Sequence, residues 1–333
     1  MAISLPQRGS DIGPRFRPPV RQRSMKPGWT SKELTARLDC PGCGASPDGS
    51  IVARRGDGLP VRACGRCGVL FVDPVPTPAG LLLRYRNGYF SGTSDFFNGQ
   101  SYCEARDRAI AEGTVTGYRE IAANFDLAGK SVLDIGCASG ALLQSLSRLG
   151  TRRLVGIDIA DQPLDFGRTR YGLDLRRAEL VQAGFARGEF DLILMVDVIE
   201  HVTELNAFVR EAARCLADGG AIYVSTPEAG GLRAAGDRWR HLFTNYEHVH
   251  YLSRESLGLL ARRHGLEVVR SWSEGYPVAP KQYRLGTMPR PLRLALEPHV
   301  AVQNSMIRFR YRHAAERGQG VQLNAILRRS VDG

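Results

Sequence analysis

The chain has 333 residues, of which 43% are hydrophobic and 24% charged, a composition that excludes wholesale disorder and a disulfide-stabilised miniprotein. It has no run of about 18 apolar residues and no apolar segment near its N-terminus. We therefore expect no membrane partner, no secretory signal and a cytoplasmic location. The net charge of +11 sits at the ends: residues 1–39 have eight basic and three acidic side chains, residues 277–333 ten and three, and residues 40–276 27 and 28.

The first ordered part predicted from the sequence is a cysteine module at residues 39–75, which follows a flexible basic tail at residues 1–38. Apolar residues 51–53 and 61–63 flank a glycine-rich turn, which predicts a β-hairpin. Two pairs of cysteines flank this hairpin, and in a cytoplasmic chain such spacing favours metal over disulfides. Four thiolates suit structural Zn²⁺ in a closed tetrahedral site. The four residues are Cys40, Cys43, Cys64 and Cys67.

Residues 76–128 are predicted to form an aromatic and helical connector that acts as a substrate lid. Residues 85–97 are rich in aromatic side chains, and residues 104–125 have helical spacing. Two tyrosines are candidate substrate-binding residues, with core packing as the alternative role of each. They are Tyr89 in this connector and Tyr246 further along the chain.

From residue 129 to residue 275, apolar strands alternate with helices. This alternation predicts an α/β fold with a doubly wound, Rossmann-like parallel sheet. The predicted strands are residues 132–135, 154–158, 190–196, 221–225 and 267–271, and the predicted helices are residues 141–149, 199–216 and 253–264. The basic C-terminal extension, residues 276–333, contains a predicted last strand at residues 321–327.

A glycine turn follows the first predicted strand and leads into a helix. Gly136 lets the backbone turn sharply towards a ligand, and the helix N-terminus offers free N–H groups. Ala138 stands where a dinucleotide fingerprint has its second glycine, and Asp134 would repel a phosphate but suits a sulfonium or ammonium group. The second strand ends at Asp158, 18 residues after Gly140, where a carboxylate accepts ribose hydroxyls.

These features together indicate S-adenosylmethionine (SAM). The candidate cofactor-binding residues are Asp134, Gly136, Cys137, Gly140, Asp158, Ile159 and Asp197.

The glycine turn resembles motif I of the class I SAM-dependent methyltransferases. Residues 190–202 are similar to the fourth-strand motif of that family, and residues 218–227 are similar to its next strand. The resemblance covers residues 105–275 and implies methyl transfer from SAM. A four-cysteine ribbon followed by an aromatic stretch and a SAM domain is similar to the zinc-containing sugar C-methyltransferases. That similarity implies a small-molecule acceptor, a sugar or a secondary metabolite, and a place in natural product biosynthesis.

Residues 246–251 include two histidines, a glutamate and two tyrosines, and they follow the fifth strand of the resembled fold. Ligands bind at this edge of an open α/β sheet. Methyl transfer to an O–H or C–H group needs a base with a pKa near neutrality, which favours His248 as the general base. In the resembled family a Glu-His pair after the fifth strand and a histidine after the fourth lie at the reacting group. That implies roles for Glu247 and His201.

Two alternatives stay open at this stage. One is an RNA methyltransferase that uses the basic ends of the chain, which would associate with RNA in a salt-sensitive way. The other is a non-catalytic interaction protein built from the zinc ribbon and a SAM-type domain. The neutral central body favours a small-molecule acceptor over nucleic acid.

Overall fold

A computed structural model describes residues 28–85, 90, 93–94, 100–278 and 290–330. The N-terminal part contains a small antiparallel sheet, formed by the predicted hairpin and a third strand. Helices and short strands then lead to the main body. These elements are β1 (Leu34–Thr35), β2 (Ser50–Arg54), β3 (Pro60–Ala63), β4 (Leu70–Val72), β5 (Val75–Pro76), α1 (Pro78–Arg84), β6 (Thr93–Ser94), β7 (Gln100–Ser101), α2 (Tyr102–Glu112) and α3 (Tyr118–Asn124).

The main body is a seven-stranded sheet packed between helices, which confirms the predicted Rossmann-like α/β class. Its elements alternate along the chain as the sequence indicates. The strands are β8 (Ser131–Ile135), β9 (Arg153–Asp158), β10 (Asp174–Arg177), β11 (Phe190–Val196), β12 (Leu216–Pro227), β13 (His250–Tyr251), β14 (Leu266–Glu274) and β15 (Gln322–Arg329), of which β13 lies outside this sheet. The helices are α4 (Ala141–Leu146), α5 (Asp161–Tyr171), α6 (Leu205–Cys215), α7 (Gly230–Ala235), α8 (Arg254–Arg262) and α9 (Arg290–Tyr311).

The strand order across the sheet is β10-β9-β8-β11-β12-β15-β14. The order reverses between β8 and β11, which is the topological switch point where ligands bind in doubly wound sheets. One strand departs from the predicted parallel direction, because β15 runs antiparallel to both β12 and β14. An apolar run predicts that a strand is buried but carries no information on its direction.

Other elements also differ from the sequence-based expectation. The edge strand β10 was not predicted because its only buried side chain is Leu175, so it lacks an apolar run. The helix predicted at residues 199–216 is divided into a 3₁₀ turn, Ile199–His201, and α6. In contrast, α8 begins after Ser253, whose side chain accepts a hydrogen bond from the Ser256 amide, as the helix-start pattern predicts.

The cysteine module is joined to the main body by backbone hydrogen bonds. The strand β13 pairs with β4 of the small sheet and not with a strand of the large one, so that His250 lies opposite Phe71. The four cysteines and Phe71 belong to the same buried cluster as one face of the large sheet. The module and the segment that contains β13 therefore hold each other in place.

The C-terminal extension contains α9, a helix of 22 residues that the sequence pattern did not predict. Tyr311 and Val300 anchor its second half, since both side chains are buried, and Arg238 donates a hydrogen bond to the Tyr311 hydroxyl. Within the described ranges, each helix is too short or too polar to cross a membrane.

Candidate active site at the carboxyl edge of the sheet

The glycine turn between β8 and α4 requires glycine at its first position. Gly136 has a φ of 73°, and a Cβ atom there would lie 2.8 Å from a methyl group of Val198. Gly140 caps α4 with a φ of 71°, and its Cβ would meet Leu173 at 2.8 Å. The turn therefore packs directly against residue 198, which follows β11 across the switch point.

The carboxylate of Asp158 holds this turn in shape. It accepts hydrogen bonds from the backbone amides of Ala138 (2.8 Å) and Ala160 (2.9 Å), and the Ile159 amide also faces it. These bonds fix Ala138 at a φ of 47°, which is uncommon for a residue with a side chain. Each carboxylate oxygen has a second lone pair, so Asp158 retains acceptor capacity for ribose hydroxyls.

Asp134 is the buried acid of the site. Its side chain is fully enclosed near the end of β8, and burial, with a smaller contribution from the charge of Asp158, raises its pKa to about 8. Burial also raises the pKa of Asp158, although the backbone amides oppose that shift. A positively charged ligand would therefore bind favourably beside these two carboxyl groups.

The remaining predicted cofactor residues lie on either side of this turn. Asp197 follows β11 with a φ of 52°, and its Oδ1 accepts a hydrogen bond from Gln322 at 2.7 Å. Cys137 is buried and packs beside Gly156, where a Cβ atom would lie 2.6 Å from its sulfur. The contact with Gly156 gives Cys137 a packing role in this turn.

His248 lies in a cluster of buried polar side chains beside the segment that follows β11. Its Nε2 is 3.8 Å from Oε1 of Glu200, and its ring centroid is 4.6 Å from that of His201. Glu200 in turn accepts a hydrogen bond from Thr226 at 2.8 Å. Among the residues that the structure describes, the buried Nδ1 atom of His248 and Oε1 atom of Glu200 have no hydrogen-bond partner. The surroundings of His248 are therefore polar but incompletely hydrogen-bonded.

Desolvation keeps this cluster uncharged. It lowers the pKa of His248 well below its usual value and that of His201 to about 4, while it raises the pKa of Glu200 well above its usual value. Neutral imidazole has a free lone pair that can accept a proton, but the lowered pKa makes His248 a weaker base than the near-neutral one expected from the sequence. The arrangement suits proton transfer, and ligand atoms from these three side chains also lie within 4.8 Å of one another, as in a divalent-metal site.

Two further predicted residues, Glu247 and Tyr246, face the connector and the cysteine module. Glu247 is buried with its Oε1 3.6 Å from Nη1 of Arg84 on α1. Tyr246 lies beside the hairpin, with its ring 5.6 Å from the guanidinium carbon of Arg55. Tyr89 lies outside the described residues.

The four cysteines lie together as the sequence predicts, and all are buried. The Sγ atoms of Cys40 and Cys67 are 3.6 Å apart, as are those of Cys43 and Cys64. A disulfide needs about 2.05 Å, whereas a tetrahedral zinc with Zn–S bonds of about 2.3 Å separates its sulfurs by about 3.8 Å. The spacing therefore fits a Zn²⁺ ion and excludes disulfides in this arrangement.

Sequence reasoning missed three residues that contact the candidate catalytic histidines. Tyr85 forms a hydrogen bond of 2.7 Å with Nδ1 of His201, Glu200 lies beside His248, and Arg55 donates a hydrogen bond to the His248 backbone carbonyl. Glu200 could have been found as the neighbour of His201 in the fourth-strand motif. The contacts of Tyr85 and Arg55 depend on the tertiary fold.

The chain is similar to known methyltransferases. A family model described as "Methyltransferase domain" matches residues 104–271. The chain is 35% identical over 127 residues to a ubiquinone biosynthesis O-methyltransferase of Xanthomonas oryzae pv. oryzae, a match that covers 35% of this chain and 52% of that protein. The chain thus spans about half the length of that relative.

Two further matches are more distant. A ubiquinone biosynthesis O-methyltransferase of Neisseria meningitidis serogroup C is 27% identical over 181 residues, which cover 48% of this chain and 73% of that protein. The crystal structure of a SAM-dependent methyltransferase from Archaeoglobus fulgidus has a TM-score of 0.48 and 18% identity, and it covers 71% of this chain and 97% of its own.

Proposed function

This chain belongs to the methyltransferase-domain family, and from that membership we propose that it transfers a methyl group from SAM to a small-molecule acceptor. The observation that carries the proposal is the position of a neutral, buried His248 beside the segment that follows β11. Val198 of that segment contacts Gly136, so the glycine turn and the histidine cluster meet at one edge of the sheet.

SAM supplies the electrophilic methyl group when it is bound. In this proposal the glycine turn holds its amino-acid end, where Asp134 faces the positive charge. Asp158 binds the ribose, and Asp197 closes the other side of the cleft. The support is the shape of the turn, the enclosed carboxylate of Asp134 and the spare lone pairs of Asp158.

The histidine cluster removes the acceptor proton in this proposal. His248 is the base in this proposal, because its ring is neutral and its Nδ1 has no hydrogen-bond partner among the described residues. His201, held by the Tyr85 hydroxyl, orients the acceptor or passes on the proton. Glu247 acts as a positioning residue through its ion pair with Arg84. Tyr89 and Tyr246 stay the proposed substrate-binding residues.

We propose an acceptor with a hydroxyl group, of the sugar or secondary-metabolite class, in a cytoplasmic reaction of natural product biosynthesis. The relatives from Xanthomonas and Neisseria are named as O-methyltransferases, which supports an oxygen nucleophile. The four-cysteine ribbon and the aromatic connector support the sugar class through their resemblance to the zinc-containing sugar C-methyltransferases. Those enzymes methylate carbon, so this resemblance concerns the substrate class and not the acceptor atom.

The cysteine module is proposed to hold one structural Zn²⁺, with Cys40, Cys43, Cys64 and Cys67 as its four ligands. A site with four thiolates has no open position, so the ion stabilises the fold and takes no part in the chemistry. The proposed division of the chain is a tail (1–38), the ribbon (39–75), a connector and lid (76–128), the SAM-binding domain (129–275) and a basic extension (276–333).

A labelled-methyl assay tests the proposed function. The purified chain is incubated with methyl-labelled SAM and, in parallel, with nucleotide sugars, small phenolic and acidic metabolites, and total RNA. Label in a small molecule supports the proposal. Label in RNA instead would support the alternative of an RNA methyltransferase that uses the basic ends of the chain. SAM binding without transfer to any acceptor would favour a non-catalytic protein.

A further inference from the structure

The second half of α9 has an exposed apolar stripe on the face that points away from the body. Val302, Met306 and Phe309 are 59%, 66% and 70% exposed. Their spacing of four and three residues places them on one side of the helix. The opposite side is anchored by the buried Val300 and Tyr311. Scattered exposed apolar residues are ordinary, but a continuous stripe indicates an interaction surface.

Arginines border this stripe on both sides. With 3.6 residues per turn, Arg308 falls on one side of the stripe and Arg310 on the other, Arg312 directly follows the last residue of α9, and all three are exposed. The guanidinium carbon of Arg312 lies 4.9 Å from the centroid of the Phe309 ring. The sequence has no acidic residue from position 298 to position 315, so the surface is apolar in the middle and positive at both edges.

We propose that this face of α9 docks on the surface of an anionic phospholipid bilayer. An interfacial helix buries apolar side chains at the level of the headgroups while its arginines contact lipid phosphates. A second copy of the chain fits less well, because a twofold contact through this stripe would bring two sets of arginines together with no carboxylate between them.

This proposal goes beyond the methyl-transfer function and does not depend on it. It also departs from the expectation that the protein has no membrane partner, which was based on the absence of a long apolar run. A helix that lies on a bilayer needs no such run, because its apolar residues occupy one face only.

Vesicle flotation tests the proposal with the full chain. We expect binding to phosphatidylcholine vesicles that contain phosphatidylglycerol, little binding to pure phosphatidylcholine, and weaker binding at high salt because exposed charges are screened. The variant V302S/M306S/F309S should lose at least tenfold in partition coefficient. The variant R308Q/R310Q/R312Q should lose about a hundredfold, since each arginine near an anionic surface contributes roughly a factor of five.

Two matched controls alter the same residue types at exposed positions outside α9. The apolar control is V181S/L259S/V269S, and the charge control is R148Q/R187Q/R263Q. Both should bind like the unaltered chain, and circular dichroism should show that all four variants fold.

The proposal is overturned if the unaltered chain ignores anionic vesicles or if both α9 variants still bind them. It is equally overturned if sedimentation reveals a dimer that V302S/M306S/F309S dissociates while vesicles are not bound, or if the arginines bind RNA and not lipid.

Discussion

Arg55 donates a hydrogen bond from its guanidinium group to the backbone carbonyl of His248, which lies 193 residues further along the chain. Arg55 is buried at the tip of the hairpin between the two cysteine pairs, where it also forms an ion pair with Asp57. Trp29 donates a hydrogen bond of 3.0 Å to the same aspartate. The cysteine module thus reaches the candidate base directly, so a structural module can influence catalysis by fixing the position of His248.

Replacement of Arg55 by lysine should therefore lower turnover while the zinc content stays unchanged. A lysine keeps the charge beside Asp57, but it lacks the fork that bonds the carboxylate and the His248 carbonyl together. We expect kcat to fall by about tenfold, because a small displacement of the base from the reacting group slows the reaction. SAM affinity should change little, because Arg55 contacts none of the proposed cofactor-binding residues. The control is Arg54→Lys at the exposed neighbouring position. Full turnover by Arg55→Lys would show that this contact does not position the base.

Much of the main body could be predicted from the sequence because its central strands are continuous apolar runs. The strand β11 was predicted at its observed bounds, and the glycine turn with Asp134 and Asp158 was recognised from residue types and spacing. The edge strand β10 has mostly charged side chains, and α9 has an apolar stripe on its outer face as well as a buried face. Neither shows the simple one-sided pattern on which sequence reasoning depends.

The candidate catalytic cluster was only partly predictable, because its members come from distant parts of the chain. His201 and His248 stand in recognisable segments, but Tyr85 and Arg55 contact them only through tertiary contacts. The pairing of β13 with β4 brings the cysteine module to this site, but neither segment has a sequence pattern that predicts the pairing.

Replacement of His248 by alanine should reduce turnover far more than SAM affinity. General-base catalysis contributes about 10²–10⁴-fold, so we expect kcat to fall in that range while the dissociation constant of SAM changes little. His264→Ala is the matched control, because that half-buried histidine contacts Asn206 on α6, away from the cluster. Calorimetry measures SAM affinity, and the labelled-methyl assay measures turnover. Unimpaired turnover by His248→Ala would remove this residue from the mechanism.

Replacement of Asp158 by alanine should weaken SAM binding. The change removes the proposed acceptor of the ribose hydroxyls and also frees the backbone amides of Ala138 and Ala160. A hydrogen bond to a charged group contributes about 1.5–3 kcal/mol, so the loss of even one ribose contact should lower the affinity at least ten- to a hundredfold, measured by calorimetry. Asp165→Ala, on the exposed side of α5, is the control. An unchanged dissociation constant for Asp158→Ala would contradict the assignment.

SAM affinity should increase with pH up to about 8 because of Asp134. Burial raises the pKa of this carboxyl to about 8, so below that pH it is protonated and does not attract a positively charged ligand. Each unit below this pKa should cost up to about tenfold in affinity, and binding should release a proton. Calorimetry in buffers of different ionisation enthalpy measures that release. The variant Asp134→Asn is the control, because it removes the titrating carboxyl but leaves the titration of SAM itself unchanged. If SAM affinity depends on pH in the same way in this variant and in the unaltered chain, Asp134 is not the cause of the pH dependence.

The purified chain should contain about one zinc per molecule, bound by the cysteine module. Four buried thiol groups with sulfurs 3.6 Å apart in each pair are matched to one tetrahedral ion, and such an ion contributes directly to folding. Cys64→Ser should lower both the zinc content, measured by mass spectrometry of the metal, and the melting temperature. Cys103→Ser, a change at a half-buried cysteine outside the cluster, should alter neither by much. Because β4 of this module pairs with β13, chelation of the metal should also lower turnover, since His248 lies two residues before His250 of β13. A metal-free chain with an unchanged melting temperature would show that the module folds without zinc.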